Sequence, residues 1–342
     1  MSNTFEIKIW DPNNDEIVSQ FLDVLCLAYN TKNVFTKKSF LWTHRDNPAG
    51  HSIISYASDS KTDSVVAICP FWISKMRMQD EEYIGIQAID AATHPDYQKL
   101  GLLKKLTSYS LDQSSESNAV LFFTFPNHLS GSYRGFLKLG IKDQGRFYYL
   151  FKPVRNHLKI PYILLKKRNE LKIFNQTPNK LQPESINLQI IGDQLNYFIN
   201  QRRKWLNIWT CDRSAEFYKW RFVDHPKHKY EVIKNDDFIA FIRRGYRSDL
   251  YEIKLSDLLF NINDKNNKHL IKKIIKIIKT EYSPDIISIC LTKNHPYFKF
   301  FKNSRFVPAP FRTRHLSIDL PICPEHLRSK KMALSNIDVD VE

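Results

Sequence analysis

An internal repeat constrains the fold of this chain more than any other feature of its sequence. Two segments share the pattern W-x3-D-x-P: LWTHRDNPAGHSII (41–54) and KWRFVDHPKHKYEVI (219–233). The fixed residues match across the copies, Trp42 with Trp220, Asp46 with Asp224 and Pro48 with Pro226. Alternating apolar and polar residues follow each copy, a pattern that predicts antiparallel hairpins. The same local structure is therefore expected twice.

A second match lies downstream of the first and in the same order. VLFFTFPNHLSGSYRGFLKLGIK (120–142) resembles IISICLTKNHPYFKFFKNSRFVP (286–308), with Asn127 matching Asn294 and Phe136 matching Phe301. Each segment predicts a buried strand followed by a short helix rich in aromatic residues and lysine. Two ordered matches favour a tandem duplication of one α/β unit over a coincidence of short patterns.

The length of the chain agrees with two units. Its 342 residues exceed the usual domain length of roughly 100–200 residues. We therefore predict one domain at 1–155 and a second at 156–342, the latter consisting of a linker and a degenerate copy.

Charge and cysteine usage limit the class of protein. The net charge of +15 implies an anionic partner, which could be nucleic acid, a lipid surface or a phosphate-bearing small molecule. The lysines are spread along the chain instead of being gathered in one terminal arm or one helix stripe, so no nucleic-acid partner is expected. The five cysteines show no spacing typical of metal ligands or disulfides, so no metal is expected. No secretory leader and no long apolar run is present, which predicts a cytoplasmic protein without membrane association.

A glycine-containing turn distinguishes the first copy. Residues 98–103 (QKLGLL) lie between a predicted strand and a predicted helix, and Lys104 and Lys105 follow. Backbone N–H groups at such a helix N-terminus bind phosphate, and glycine permits close approach. The alternative is that Gly101 only serves the turn and the lysines are a solvated helix face. The second copy has an Asn/Asp-rich loop without glycine before its helix HLIKKIIKIIKTEY.

The wider context of this turn favours phosphate binding. THPDYQKLGLLKKL resembles the Q/R-x-x-G-x-G/A signature of the GNAT N-acetyltransferase superfamily, with Gln98 and Gly101 at the first two positions and Leu103 at the third. The resemblance covers roughly residues 5–150. Within this range the elements follow the family's order: a strand, Pro, Gln, Gly and a helix, then the strand VLFFTF, Asn127 and the helix ending in KLGI. Leu103 departs from the pattern and puts close packing of the turn in doubt.

The resemblance implies the fold and the cofactor. The fold would be α/β (α+β), with tandem units that each have a mixed, mainly antiparallel sheet flanked by helices. The cofactor would be acetyl-CoA, with its pyrophosphate on residues 99–104 and its pantetheine arm between splayed strands at 86–93 and 120–125. The implied cofactor-binding residues are Ala92, Thr93, Gln98, Lys99, Leu100, Gly101, Leu102, Leu103, Lys104 and Asn127. Asn127 is equally explained as a turn residue beside Pro126.

Amine attack on a thioester needs a neutral amine and benefits from a proton donor for the leaving thiolate. The tyrosine that often supplies this proton in the family is replaced by Phe136, and Tyr133 could reach a nearby space. Asp90, flanked by apolar residues, is a candidate base or ammonium ligand; a structural salt bridge is the alternative. His94 is a further candidate base, although a histidine at a strand end is often only a turn residue.

The second copy concentrates arginine and aromatic residues at 200–222. Such side chains together suit a base and a diphosphate, and an amphipathic helix with aromatic residues in the core is the alternative. The candidate substrate-binding residues, besides Asp90, are Arg202, Trp205, Trp209, Arg213, Trp220 and Arg221.

The layout of the whole chain resembles bacterial GNAT N-acetyltransferases of surface-polysaccharide pathways. The resemblance implies an amino sugar carried on a nucleotide as acceptor, of the dTDP-3-amino-3,6-dideoxyhexose type. Two alternatives remain open: a GNAT enzyme for a protein or other small amine, and a non-catalytic basic binding protein on a degenerate GNAT scaffold.

Overall fold

The computed structural model describes residues 4–31, 34–155, 186, 188–205, 207–247, 250–262, 267–310 and 313–338. Two units make up the chain. The first comprises Met1–Gly145 with Arg312–Lys330, and the second comprises Arg146–Phe311 with Lys331–Glu342.

The described strands are β1 (Phe5–Ile9), β2 (Ile53–Asp59), β3 (Val65–Met78), β4 (Glu81–Ala88), β5 (Ala92–Thr93), β6 (Ala119–Thr124), β7 (Lys142–Pro153), β8 (Trp209–Cys211), β9 (Glu231–Asn235), β10 (Phe238–Arg247), β11 (Leu250–Phe260), β12 (Ile286–Thr292), β13 (Val307–Pro308), β14 (Arg314–Asp319) and β15 (Met332–Ala333). The described α-helices are α1 (Val18–Ala28), α2 (Lys37–His44), α3 (Leu102–Gln113), α4 (Gly131–Lys138), α5 (Leu188–Arg203), α6 (Ala215–Tyr218), α7 (Asn267–Tyr282) and α8 (Phe298–Asn303).

The sheet of the first unit is built from an antiparallel run, β1 to β4. The helix α3 then carries the chain back, so that β6 pairs with β4 in parallel, as a strand reached through a helical crossover does. β14 completes this sheet by pairing with β6 in antiparallel fashion. All six residues of β6 are buried, which explains why its sequence is continuously apolar instead of alternating.

Helices cover both faces of this sheet. Ala57, Phe71 and Phe122 pack in one cluster with residues of α3 and α4. Tyr56 and Ile68 pack in another cluster with residues of α1 and α2. Neighbouring residues of β2 therefore serve opposite faces, as the period of a strand requires.

The sheet of the second unit repeats the same order. β9, β10 and β11 are antiparallel, and β12 pairs in parallel with β11 after the crossover helix α7. This corresponds to β2, β3, β4, α3 and β6 of the first unit. The predicted fold class of two mixed, mainly antiparallel α/β units is confirmed.

The strands that complete the two sheets come from unexpected parts of the chain. β12 pairs with β7, which begins at Lys142, and β6 pairs with β14 near the C-terminus. The division at residue 155 placed β7 in the first domain and β14 in the second, whereas most of β7 belongs to the second unit and β14 to the first. An apolar pattern predicts a strand, but not the distant strand with which it pairs.

Candidate active site

The site is built around an interruption of the strand that follows β3 in the sheet. β4 pairs with β3 up to Ala88 opposite Phe71, and β5 resumes the pairing with Ala92 opposite Ile68. The intervening stretch, 89–91, is one residue longer than the β3 segment that it faces, so it forms a bulge. Asp90 adopts a left-handed backbone there, with φ of 50°. Non-glycine residues held in this conformation cluster at functional sites.

The neighbouring strands separate at the same level. The pairing of β4 with β6 ends where Ala88 lies opposite Thr124, whose Oγ1 donates a hydrogen bond of 3.0 Å to the Ala88 carbonyl. Beyond it, β5 pairs with β3, while Asn127 forms a bridge with Thr313. The pairing of β4 with β6 thus ends at the level at which the resemblance placed the pantetheine arm.

The turn before α3 has two residues in the left-handed region, Lys99 with φ of 66° and Gly101 with φ of 78°. Gly101 is the N-cap of α3 and leaves the helix without a side-chain cap. Gln98, Lys99, Leu100, Gly101 and Lys104 are exposed, whereas Leu102 is buried and anchors the helix in the core. The first N–H groups of a helix lack intrahelical partners and carry partial positive charge, which suits a diphosphate.

Leu103 departs from the small residue of the GNAT signature, and a small residue on the next helix faces it. A Cβ built on Gly135 of α4 would lie 3.4 Å from Leu103 Cδ2. Leu103 is half-buried against the core cluster of the first unit. Its side chain therefore packs toward α4.

A buried histidine faces Asp90. His44 Nε2 lies 3.5 Å from Asp90 Oδ2, and His44 Nδ1 lies 3.0 Å from Ser52 Oγ. His44 is fully buried at the end of α2, and its Nε2 makes no hydrogen bond of ordinary length. The Asp90 side chain retains 27% exposure. A carboxylate that is open to solvent on one side therefore has an imidazole directly behind it.

The sequence analysis missed His44. It lies two residues after Trp42 in the repeated pattern, where the second copy has Phe222 two residues after Trp220. The sequence did contain a signal for His44. At this position one copy has an ionisable residue and the other has an aromatic one.

Tyr133 donates a hydrogen bond of 2.8 Å to Asp143 Oδ2, and Arg314 also pairs with that carboxylate at 2.8 Å. The hydrogen bond to Asp143 raises the pKa of the Tyr133 hydroxyl above its ordinary value. The pKa of Asp143 is lowered, since hydrogen bonds from Tyr133 and Arg314 outweigh its desolvation. The proton of Tyr133 is thus directed to a carboxylate, which makes this tyrosine a poor general acid.

His94 and Asn127 both take part in local turns. His94 Nδ1 accepts a hydrogen bond of 3.3 Å from the Asp96 backbone N–H. Asn127 Oδ1 accepts one of 3.0 Å from the Leu129 N–H, and the Asn127 carbonyl accepts one from Ser130. Gln98 donates to the Thr93 carbonyl at 3.4 Å, which ties the turn to β5. These contacts agree with the turn interpretations given for His94 and Asn127.

The arginine and tryptophan side chains that the sequence predicts as substrate ligands are buried. Exposure is 6% or less for each of Arg202, Trp205, Trp209, Arg213, Trp220 and Arg221. Arg213 Nη1 lies 2.6 Å from Asp257 Oδ1, and its Nη2 lies 2.6 Å from Asp338 Oδ2. The pKa of Arg213 is raised well above its ordinary value, since attraction by Asp257 and Asp338 outweighs desolvation. Its charge is matched inside the unit.

Arg202 belongs to the same buried cluster. Its Nη1 lies 3.6 Å from Asp257 Oδ1, and its guanidinium stacks 5.0 Å from the centroid of the Trp205 ring. Burial, together with the charges of Arg202 and Arg213, lowers the pKa of His295 well below its ordinary value. These side chains form a polar core within a unit, not an exposed nucleotide platform.

Among the described residues, no group of three or more His, Cys, Asp or Glu side chains could hold a metal ion. Within that part of the chain, no helix is both long enough and apolar enough to cross a membrane.

Comparison with known proteins identifies the fold. No protein-family model and no curated protein sequence matches this chain. Among solved structures, it is similar to a GCN5-related N-acetyltransferase from Anabaena variabilis, with a TM-score of 0.64 and 11% identity over 94% of this chain and 74% of the other. The chain has the GNAT fold.

Two further structures support this conclusion. N-myristoyltransferase from Saccharomyces cerevisiae with bound myristoyl-CoA gives a TM-score of 0.62 and 11% identity over 93% of this chain and 83% of the other. A probable N-acyltransferase from Enterococcus faecalis gives a TM-score of 0.61 and 8% identity over 94% of this chain and 74% of the other. The GNAT fold thus extends over nearly all of the present chain.

Proposed function

We propose that this protein is an acyl-CoA-dependent N-acyltransferase with its active site in the first unit. One observation carries the proposal: the strand break at Asp90 and the uncapped N-terminus of α3 occur in the same unit, joined by only the short segment 91–101. The strand break suits a reacting amine, and the helix N-terminus suits a diphosphate. The GNAT fold agrees with this assignment.

The proposed cofactor site uses backbone groups more than side chains. The pyrophosphate would lie on residues 99–104, where Gly101 leaves open space and Lys99, Lys104 and Lys105 add positive charge. The pantetheine arm would enter the gap between β5 and the end of β6, where Ala92 and Thr93 offer backbone groups.

The reaction is attack by the acceptor amine nitrogen on the thioester carbonyl carbon. The C–N bond forms, the C–S bond breaks, and the amine loses one proton while the CoA thiolate gains one. Before attack, Asp90 holds the acceptor as an ammonium, takes one proton from it and releases that proton to solvent; the second proton, lost from the attacking nitrogen, goes to the thiolate. His44 lies behind the carboxylate: in the tautomer whose Nδ1 accepts from Ser52, its Nε2–H points toward Asp90 at 3.5 Å. Because Tyr133 is bonded to Asp143, the proposal assigns the thiolate no dedicated protein acid.

The acyl group is proposed to be acetyl, in keeping with the GNAT signature at Gln98 and Gly101. A longer acyl chain is the alternative, because one structure of similar fold contains myristoyl-CoA. Initial rates with acetyl-, octanoyl- and myristoyl-CoA at one acceptor concentration distinguish the two. A rate that rises with chain length would exclude acetyl as the preferred group.

The acceptor is proposed to be a nucleotide-linked amino sugar of the dTDP-3-amino-3,6-dideoxyhexose type. This rests on the sequence layout and on the charge of +15, which attracts polyanionic substrates. Since Arg202, Arg213 and Arg221 are buried, they lend no direct support as nucleotide ligands. A peptide amine and another small amine are the alternatives.

A thiol-release assay tests the function. Acetyl-CoA is offered with a panel of dTDP- and UDP-amino sugars, with spermidine and a lysine-rich peptide as other acceptors, while calorimetry measures acetyl-CoA binding. Turnover of a nucleotide amino sugar supports the whole proposal, and turnover of the other acceptors alone retains the enzyme and rejects the sugar. Absence of both turnover and CoA binding rejects the enzyme in favour of a non-catalytic scaffold.

A further inference from the structure

One face of the second unit is strongly basic. Along α7, the side chains of Leu270, Ile271, Ile274, Ile275 and Ile278 are buried in the core of this unit. The intervening positions carry exposed lysines, namely Lys272, Lys273, Lys276 and Lys279. The helix thus anchors itself by one face and presents lysine on the other.

The neighbouring helix extends this charge. α8 packs against the same buried cluster through Phe301, and Lys299, Lys302 and Arg305 are exposed on and after it. The half-buried Lys152 of β7 donates to the Ser304 carbonyl at 2.8 Å. Its pKa is lowered, first by burial and then by the charges of Lys279 and Arg305. The two helices therefore contribute cations to one continuous surface, which we name the basic face: Lys152, Lys272, Lys276, Lys279, Lys299, Lys302 and Arg305.

Acidic residues do little to neutralise this surface. The sequence contains no Asp or Glu in 265–280 or in 286–318. Asp237 pairs with Lys273 at 2.6 Å, and Glu281 is exposed at the end of α7. Concentrated like charge repels itself, so the face is suited to an anionic partner.

An apolar edge adjoins the basic face. Val307, which is 43% exposed, and Pro308 form β13, only two residues after Arg305, and Pro310 is exposed beyond it. Tyr29 and Tyr197 are the exposed large aromatic side chains in the part of the chain that the structure describes, so no such ring stands on this face. Bases stack on aromatic rings, whereas a lipid surface offers anionic headgroups next to an apolar phase.

We propose that the basic face docks the protein on an anionic lipid surface, with the lysines on the headgroups and Val307 at the apolar boundary. Lysine suits this partner, because its compact charge needs no fixed geometry. The proposal concerns peripheral attachment, and it replaces the expectation from sequence that the protein has no membrane partner. It does not depend on the acyltransferase assignment.

Sedimentation of the full chain with vesicles tests the proposal. We expect binding to vesicles of phosphatidylcholine and phosphatidylglycerol at low salt, weaker binding at high salt, and none to phosphatidylcholine alone. The triple variant K272E/K276E/K279E should bind roughly a hundredfold more weakly, since each basic residue near such a surface contributes about 1 kcal/mol. Val307→Ser should weaken binding severalfold and leave its salt dependence unchanged.

A matched variant separates this face from net charge alone. K37E/K38E/K75E changes the charge by the same amount at three exposed lysines of the first unit and should retain most of the binding. An equal loss in both triple variants would overturn the proposal, as would failure of the wild-type chain to bind anionic vesicles. Binding of duplex DNA through the same lysines, without vesicle binding, would assign the face to nucleic acid instead. Thermal midpoints of all variants verify that they are folded.

Discussion

His44 Nε2 lies 3.5 Å from Asp90 Oδ2, with the imidazole fully buried and the carboxylate partly open to solvent. Ser52 holds the other ring nitrogen, and Asp90 keeps a left-handed backbone. An imidazole held behind a carboxylate limits the directions from which a proton can reach that carboxylate. The proposed amine chemistry therefore rests most directly on this pair.

Replacing His44 tests this positioning role. In the acceptor complex we expect the 3.5 Å contact between His44 and Asp90 to shorten to a hydrogen bond. His44→Phe should then lower kcat about tenfold to a hundredfold, the value of a hydrogen bond to a charged group. His44→Gln, which keeps an N–H donor, should lose less. The second copy has Phe222 at the matching position, so phenylalanine is compatible with the local fold. Stopped-flow thiol release measures kcat, and calorimetry should show an unchanged Kd for acetyl-CoA.

In an Asp90→Asn background, His44→Phe should have no further effect on kcat, because its partner is already altered. Two outcomes would contradict the positioning role and leave His44 with a structural role only. One is an equal loss of kcat in both backgrounds, and the other is a loss of thermal stability that accounts for the fall in kcat.

Asp90 itself is tested by Asp90→Asn. Asparagine accepts a left-handed backbone nearly as readily as aspartate, so the bulge should persist while the proton acceptor is lost. We expect kcat to fall about a hundredfold to a thousandfold, within the range of general base catalysis. The KM for acetyl-CoA should stay within a factor of about two. Near-normal turnover in single-turnover thiol release would mean that the acceptor amine loses its proton to water.

Local sequence patterns predicted many strands, helices and turns of the first unit, because these elements depend mainly on residues that are neighbours in the sequence. The repeat at Trp42 and Trp220, the strand before Asp90 and the turn at Gly101 are all of this kind. The pairing of β14 with β6 was not predictable in this way, since its residues lie far from β6 in the chain. The sequence predicts Arg213 as a substrate ligand and does not reveal its buried partners, because Asp257 and Asp338 are also remote in sequence.

Gly101 is the position at which a carboxylate should most disturb a bound diphosphate. We expect Gly101→Glu to raise the KM for acetyl-CoA about tenfold or more through repulsion and the loss of close backbone approach. Gly140→Glu is a matched control, since Gly140 has a similar φ of 82° and equally open space but lies after α4. It carries the same backbone strain without a predicted phosphate nearby. Equal changes of KM in both variants would assign the effect to strain and move the cofactor elsewhere.

Arg213 should act on stability instead of substrate binding. Removing the cation in Arg213→Met leaves Asp338 buried without its ion-pair partner and Asp257 with only Arg202 at 3.6 Å. This change should cost about 3–5 kcal/mol of the free energy of unfolding. Lys219→Met breaks a surface pair with Asp224, in which Lys219 is 62% exposed, and should cost about 1 kcal/mol or less. Urea unfolding measures both. An Arg213→Met protein of normal stability that fails to use a nucleotide sugar would restore Arg213 as a substrate ligand.

His315 should make stability depend on pH. Its ring is buried and stacks on Phe125 at 5.2 Å, and burial lowers the pKa of the imidazole from 6.5 to about 4. Between these two values the unfolded chain binds more protons than the folded one, so the free energy of unfolding falls as the pH drops from 6.5 to about 4. The loss attributable to His315 is at most about 3 kcal/mol.

The stabilising contribution of His315 is fully present above pH 6.5, the pKa of the unfolded chain. Burial also lowers the pKa of His295, so this residue likewise lowers the free energy of unfolding as the pH falls. His315→Phe keeps an aromatic ring beside Phe125 and removes the titration. Urea unfolding over this pH range should therefore show a shallower decline for the variant than for the wild-type chain. Parallel curves for the two proteins would mean that the folded state admits a charged imidazole at this position.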